Sequence, residues 1–337
     1  MTLKTYNLCL IGFGNVGRAL VRLLERKRAG LREKYGIDWR LTGVATRRLG
    51  RASSPTGLDY EALLANQTPK DPATASNLEE WLQVASADVV FELSSLNHHT
   101  GQPAIDHLRA ALNHGAHAIT ANKGPVVRGY HELRALAGEK GKRFLFESTV
   151  MDGVPIFSMF RENLPLLEVR GFRGILNSTT NVILQEMETG SSLDAAIRKA
   201  QDMGIAETDP SDDLDGWDAT VKVAALCIVI LGASMKLEEI DREGIRPLTA
   251  EQVKAARASG RPYKLVCTAK REHGNVTASV RPQQLSLDDP LAWVNGSSSA
   301  INFETDVFPG LAITGLSPGV EETAYGLLAD FVNAVSA

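Results

Sequence analysis

The 337-residue sequence predicts an α/β chain, with a doubly wound parallel sheet first and an α+β domain after it. Three observations predict this. Short apolar runs alternate with helix-length amphipathic stretches through the first half. That rhythm changes after about residue 148, where helical stretches cluster and strand-like runs follow them. Glycines crowd the end of the very first apolar run.

The elements follow in order. Residues 7–13 read as a strand and 16–29 as a helix. Further strands are expected at 40–46, 88–93, 116–121 and 143–147, with helices at 78–85, 103–114 and 129–140 between them. Strands separated by helices of this length imply right-handed crossovers and a parallel sheet covered on both faces. Residues 52–76, rich in Ser, Pro, Thr and Asn, read as a long surface excursion. In the second half, helices are expected at 154–163, 179–188, 193–203 and 218–232, and strands at 168–176, 263–270 and 276–281. Residues 295–300, NGSSSA, read as a flexible turn. A final amphipathic helix at 319–335 carries Leu327, Leu328, Phe331 and Val335 near helical spacing. The expected division gives 1–147 with 309–337 to one domain and 148–308 to the other.

Composition narrows the function class. Lys plus Arg total 36 against 40 for Asp plus Glu, so no basic excess attracts nucleic acid or anionic lipid. The longest apolar stretch, 223–233, is well short of the roughly 20 residues a membrane span needs. Cys9, Cys227 and Cys267 are too scattered for a disulfide framework or a zinc cluster. His98 and His99 are merely adjacent, with no HExxH pattern. A cytoplasmic globular protein is expected.

The first strand runs into Gly12-Phe13-Gly14-Asn15-Val16-Gly17 and then a helix. Each glycine has a purpose in dinucleotide binding: a tight turn, close backbone approach to a pyrophosphate, and close helix–strand packing. The helix N-terminus adds N–H donors and a positive dipole end. An ordinary glycine-rich turn is the plainer reading, but the strand–loop–helix context favours a Rossmann-type site. Cofactor type is decided at the end of the second strand, where an acid holds the ribose of NAD and an arginine the extra phosphate of NADP. Thr46-Arg47-Arg48 stands there, so NADP is expected, with NAD possible; Asp38 precedes the expected strand and should face the wrong end.

Residues 207–222, ETDPSDDLDGWDATVK, gather six acids. A solvated acidic loop is the ordinary reading of such a run. A calcium loop fits Asp213, Asp215 and Gly216 but fails at its ends, where Ser211 and Lys222 replace the ligands. A third reading is a polar substrate site. Asp218 and Lys222 are four residues apart on a helix and share a face. That face leads into the apolar run from Val223, so Lys222 should be only partly exposed and its proton affinity open to tuning. Lys123, after Asn122 at the end of the 116–121 strand, is a second candidate at the edge where doubly wound sheets bind ligands. A loop-capping role is its plainer alternative.

These motifs match a known family. The chain resembles homoserine dehydrogenases along nearly its whole length, through IGFGNVG, TANKGPV, ESTVMDGVP, GILNSTTNVIL, the acidic cluster with its lysine, and GLSPGVEETA. The resemblance implies reversible NAD(P)-dependent reduction of L-aspartate 4-semialdehyde to L-homoserine, a step toward threonine, methionine and isoleucine. It implies Lys222 and Lys123 as catalytic lysines and Asp218 as the group orienting Lys222 and the substrate amine. Glu207 and Asp213 would bind the amino-acid end, with Gly174 and Thr179 lining the pocket. Ser94, Gly319 and Thr323 would join the glycine loop at the cofactor. A monovalent cation, typically sodium, would sit on Glu147, Val150, Asp152 and Val154. Members resemble homodimers joined through the second domain's sheet. Ser178 stands where the family commonly has glycine, and Met151-Asp152 replaces its usual small residues. With the chain ending at Ala337, no threonine-sensing module and no feedback inhibition through one are expected. Dehydrogenation of another amino-acid semialdehyde, or a non-catalytic NADP-binding sensor, are the competing functions.

Overall fold

A computed structural model describes residues 2–67 and 73–336. The chain forms two compact units, residues 1–156 with 319–337, and residues 157–318.

The first unit is built on seven strands: β1 (Lys4–Ile11), β2 (Ile37–Thr46), β3 (Gly50–Ser53), β4 (Ala73–Thr74), β5 (Val89–Glu92), β6 (His117–Thr120) and β7 (Phe144–Leu145). Their order is β4-β3-β2-β1-β5-β6-β7. Strands β2, β1, β5, β6 and β7 run parallel, as expected of strand–helix alternation. β3 and β4 add an antiparallel edge. That edge and the helix Tyr60–Leu64 correct the reading of 52–76 as a surface excursion; residues 68–72 of that stretch lie outside the described residues. Trp81 explains why this polar segment pairs with the sheet, since its buried indole N–H donates to the Ala52 carbonyl at 2.9 Å.

Alternation along the central strands covers both faces. Leu8, Leu10, Val89 and Phe91 enter one core with Leu20, Leu24, Leu327 and Phe331. Cys9, Ile11 and Val90 point the other way, toward Trp81, Leu82 and Ala111. The closing helix Val320–Val335 belongs to the first core, where Phe331 meets Tyr6 and Phe91 edge-on at 6.0 and 6.3 Å.

The second unit carries β8 (Val169–Ile175), β9 (Asp241–Arg242), β10 (Tyr263–Glu272), β11 (Asn275–Gln284), β12 (Ser299–Thr305) and β13 (Leu311–Gly315), in the order β13-β12-β8-β10-β11-β9. β10 and β11 form a hairpin whose turn residues His273 and Gly274 both have positive φ. Ser299 and Ala300 begin β12, which corrects the reading of all of 295–300 as a turn. From Ile301 to Thr305 β12 alternates buried and exposed residues, a short period-two signal masked by the turn-like NGSSSA that leads into it, and its place between β8 and β13 comes from tertiary pairing.

The units also divide later than expected. Ser148 Oγ donates to the Thr323 carbonyl at 2.7 Å, and Gly153 lies against Glu322 and Gly326 of the closing helix, so 148–156 stays with the first unit. Pairing of β13 with β12 keeps 311–315 in the second.

Lys264 on β10 is 2% exposed, and its ammonium donates to Asn181 Oδ1 at 2.9 Å and to the Val294 carbonyl at 2.5 Å. Burial pushes its pKa down from 10.5 to about 8. Between those values the unfolded chain binds more protons than the folded one, so stability gains with rising pH across that window. The unfolding free energy of wild type relative to Lys264→Met should therefore rise from about pH 8 to about 10.5. A difference that is flat with pH in denaturant titrations would contradict this.

Candidate active site

In the first unit the glycine loop has the shape its sequence requires. Gly12 sits at φ +97°, and a Cβ there would lie 2.5 Å from the Leu93 carbonyl oxygen at the end of β5. A Cβ at Gly17 would meet the Gly12 carbonyl at 3.0 Å, which is the close helix–strand approach expected. Gly14 faces open space, with nothing within 4 Å of its Cβ position. The helix Asn15–Arg26 that follows has no side-chain cap at Gly14 and no acid in its first turn. Its leading N–H groups therefore offer a built site for an anion.

A cleft of about 450 Å³ opens beside this loop, lined by Phe13, Gly14, Arg18, Thr46, Arg47 and Arg48 among others. Arg47 and Arg48 are exposed at the carboxyl end of β2. Thr46 Oγ1 is engaged locally, accepting from Leu49 N at 2.9 Å. Arg18 is a wall of the cleft that sequence reasoning missed. Its guanidinium stacks on Phe13 and donates to the Leu63 and Leu64 carbonyls and to Asn66 Oδ1. Asp38 lies within β2, which starts earlier than expected, but at its amino end, paired with Arg32 at 2.6 Å and Arg28 at 3.3 Å. It is far along the strand from the loop, as anticipated.

The ends of β5 and β6 form a second wall of this half. The helix expected at 129–140 starts six residues earlier, as Lys123–Glu139, so Lys123 is its first residue and half-buried. Asn122 is the cap: its Oδ1 accepts from Gly124 N at 3.0 Å, and its Nδ2 donates to the Ser94 carbonyl at 3.2 Å. The expected helix start was late because Gly124-Pro125 resembles a loop, although proline suits the first turn of a helix.

The loop from Glu147 to Ile156 is also in this unit. Glu147 is buried, accepts from Ile156 N at 2.6 Å, and donates its own N–H to Asp330 Oδ2 at 2.7 Å. Met151 and Asp152 both hold positive φ, 55° and 56°. Thr323 Oγ1 reaches Asp152 Oδ1 at 3.4 Å, and Gly319 begins the closing helix. The helix expected over 154–163 is confined to its later part, with Met159–Asn163 wound in a wide turn; strain in the preceding loop delays it.

In the second unit the acidic cluster and its lysine come together at the carboxyl end of β8. Lys222 and Asp218, on the helix Trp217–Val229, pair at 2.9 Å, with side chains 14% and 19% exposed. Lys222 Nζ also donates to the Leu176 carbonyl at 2.7 Å. Asn177, just past β8, caps the helix Ser178–Glu188 through Thr180 N at 2.8 Å. Its Nδ2 donates to both Asp213 at 2.6 Å and Asp218 at 2.9 Å. Burial, and then the Asp218 charge, push the Asp213 carboxyl above the usual range; Asn177, Lys222 and Thr179 pull it back.

The candidate residues therefore fall into two groups. Asp213, Asp218, Lys222 and Thr179 share one hydrogen-bonded cluster. Thr179 also donates to the Ile205 carbonyl at 3.3 Å. Gly174 sits inside β8, where a Cβ would lie 2.6 Å from the Ala300 carbonyl of β12. Glu207 is exposed, and only its carbonyl is fixed, by Gln201 Nε2 at 3.0 Å. The sequence reading missed Asn177 and the Leu176 carbonyl. An Asn directly after a strand and before Ser-Thr-Thr is a cap signal, but its second role as a bridge between two distant acids is visible only in three dimensions.

The chain is similar to known proteins along nearly its whole length. Residues 155–332 match the family model for homoserine dehydrogenase, and residues 12–147 match the model for the homoserine dehydrogenase NAD-binding domain. The chain is 33% identical to the NAD(+)-dependent homoserine dehydrogenase of Pseudomonas canavaninivorans, over 97% of this chain and 96% of that one. A putative homoserine dehydrogenase structure from Archaeoglobus fulgidus superposes with a TM-score of 0.85 at 30% identity, covering 99% of both chains. A hyperthermophilic archaeal homoserine dehydrogenase mutant in complex with NADPH gives a TM-score of 0.82 at 29% identity, covering 98% of both.

Proposed function

The chain belongs to the homoserine dehydrogenase family, and on that premise we propose which of its residues reduce L-aspartate 4-semialdehyde to L-homoserine and back. The observation that carries the proposal is the Asp213–Asn177–Asp218–Lys222 cluster, a lysine held in fixed orientation between a carboxylate and a backbone carbonyl.

Lys222 holds the proton at the substrate's reacting oxygen. In the reductive direction its ammonium protonates the aldehyde oxygen as the carbon bearing it is reduced; in the oxidative direction the same nitrogen, as free amine, takes the hydroxyl proton. Asp218 orients that nitrogen. Asp213, Glu207, Gly174 and Thr179 receive the amino-acid end, where a carboxylate pair complements the substrate ammonium. Lys123 is the second proposed lysine of the reaction. A bound nicotinamide dinucleotide supplies or accepts the hydride. Its proposed binding residues are the loop from Gly12 to Gly17, with Thr46, Ser94, Lys123, Gly319 and Thr323.

The arginines favour NADP. Arg47 and Arg48 border the cleft with no acid among its described lining residues, a setting suited to a 2′-phosphate. Charge-assisted hydrogen bonds contribute about 1.5–3 kcal/mol each. Replacing both arginines by alanine should lower kcat/KM with NADP about a hundredfold and leave NAD turnover within about threefold. Equal losses with both cofactors would show that the pair does not read the 2′-phosphate, and no loss with either would assign it to the surface. The NAD(+)-dependent relative makes this comparison worth running in both cofactors from the outset.

A monovalent cation is proposed on Glu147 and the carbonyls of Val150, Asp152 and Val154. A buried carboxylate beside a loop of left-handed residues is an oxygen-rich set suited to a hard cation. The ion would offset the Glu147 charge and hold the loop. Among the described residues no helix is long and apolar enough to cross a membrane. A cytoplasmic homodimer joined through the sheet of the second unit is proposed, within threonine and methionine biosynthesis.

Asp213→Asn separates binding from stability. Because the folded state raises this acid's pKa, its ionisation costs stability as pH rises through the raised value. The variant should melt higher than wild type at neutral pH while its KM for homoserine rises at least about tenfold. A lower melting temperature at that pH would contradict the assignment of the strain.

A further inference from the structure

We infer that Glu92 is a positioning residue for the nicotinamide half of the cofactor site, tying together the loops after β5 and β6. The inference rests on the functional reading above and adds a residue to it.

Glu92 is the last residue of β5 and has no exposure to solvent. Its Oε1 accepts from Ser94 N at 3.2 Å, from Ser94 Oγ, and lies 3.4 Å from His107 Nδ1 on the helix Ala104–His114. Its Oε2 and its own carbonyl both face Thr120 Oγ1, at 3.3 and 2.9 Å. Thr120, the last residue of β6, in turn accepts from Asn122 N at 2.9 Å. Asn122 closes the circuit by donating to the Ser94 and Ser95 carbonyls while capping the helix that begins at Lys123.

One carboxylate thus fixes both the loop that carries Ser94 and the turn that presents Lys123. The same loop's Leu93 carbonyl lies against Gly12, so the circuit also borders the pyrophosphate turn. A buried carboxylate is costly to desolvate unless several donors satisfy it. Here they come from three separate segments of the chain, the loop after β5, the helix Ala104–His114 and the end of β6. A residue needed only to fill this core position would be apolar.

The prediction is a split between the two halves of the dinucleotide. In Glu92→Ala, affinity for 2′-phospho-ADP-ribose, which lacks nicotinamide, should stay within twofold of wild type. Affinity for NADP should fall at least fivefold and kcat for homoserine oxidation at least tenfold, with partial recovery in Glu92→Gln. Should the alanine variant fail to fold, Thr120→Val breaks the same circuit at its second node and should give the same split. Proportional losses for fragment and whole cofactor would show a merely structural role, and unchanged kcat and NADP affinity would remove Glu92 from the site. Wild-type protein that binds NADP but does not turn over homoserine would overturn the functional reading itself, a separate outcome from either.

Discussion

Replacing Lys222 by methionine is expected to lower kcat for homoserine oxidation by about 10²–10⁴-fold, the usual contribution of a positioned acid–base group. Methionine keeps an apolar stem at this largely buried position and removes the ammonium. Cofactor affinity should remain within about twofold, because the glycine loop and the Arg47–Arg48 cleft lie in the other unit. The ammonium is held by Asp218 at 2.9 Å and by the Leu176 carbonyl at 2.7 Å, so its orientation is set before substrate arrives. Without it, the Asp218 charge acts on Asp213 across Asn177 uncompensated, which should push Asp213 further toward protonation and weaken its hold on a substrate ammonium. KM is therefore expected to rise as kcat falls. Stopped-flow traces of nicotinamide absorbance, with cofactor binding followed by fluorescence, separate these effects. Near-normal turnover in the folded variant would remove Lys222 from the chemistry.

The second large effect is at Gly12. Alanine there must adopt φ +97° and place its methyl carbon 2.5 Å from the Leu93 carbonyl oxygen, a contact that backbone alone can relieve. Strained φ costs on the order of 1–3 kcal/mol. The clash must also separate β1 from the end of β5, where Leu93 N donates to the Ile11 carbonyl at 2.7 Å and Gly12 N to the Ala45 carbonyl at 2.9 Å. Three strand ends are knitted at this point, so the turn cannot shift alone. Gly12→Ala should lower the melting temperature by several degrees and weaken NADP binding at least about a hundredfold. Gly14→Ala is the control, since nothing stands within 4 Å of its Cβ position in the protein itself. It should melt like wild type and still lose cofactor affinity, because the methyl group enters the space the pyrophosphate would take. Equal stability losses at both glycines would show that the loop's shape, rather than its ligand, demands them.

The parts of this site legible in the sequence are those whose spacing is local. The three glycines follow one strand within six residues, and Asp218 with Lys222 is a single helical turn. Each needs only the element it sits on. The three-dimensional circuits were not legible. Asn177 bridges Asp213 and Asp218 from a strand end some forty positions away, and Glu92 joins Ser94, His107 and Thr120 from three elements. Nothing in the local composition distinguishes a buried glutamate that ends a strand from a solvated one. The fold shows the same division. Parallel strands with apolar runs are legible, whereas β3, β4 and β13 are short strands recruited by their neighbours. Lys123 illustrates the intermediate case, a residue singled out by its place at a strand end but expected in a loop because Gly-Pro obscured the start of its helix.

In the proposed mechanism a lysine fixed between an acid and a strand-end carbonyl manages the proton of homoserine's hydroxyl group. The most direct test is the pH dependence of kcat/KM for homoserine oxidation with saturating NADP, in wild type and in Lys222→Met. The wild type should show an ionisation limb, with activity rising as the lysine loses its proton, and the variant should lose that limb along with most of its rate. An identical pH profile in the two proteins, at comparable rates, would contradict the account.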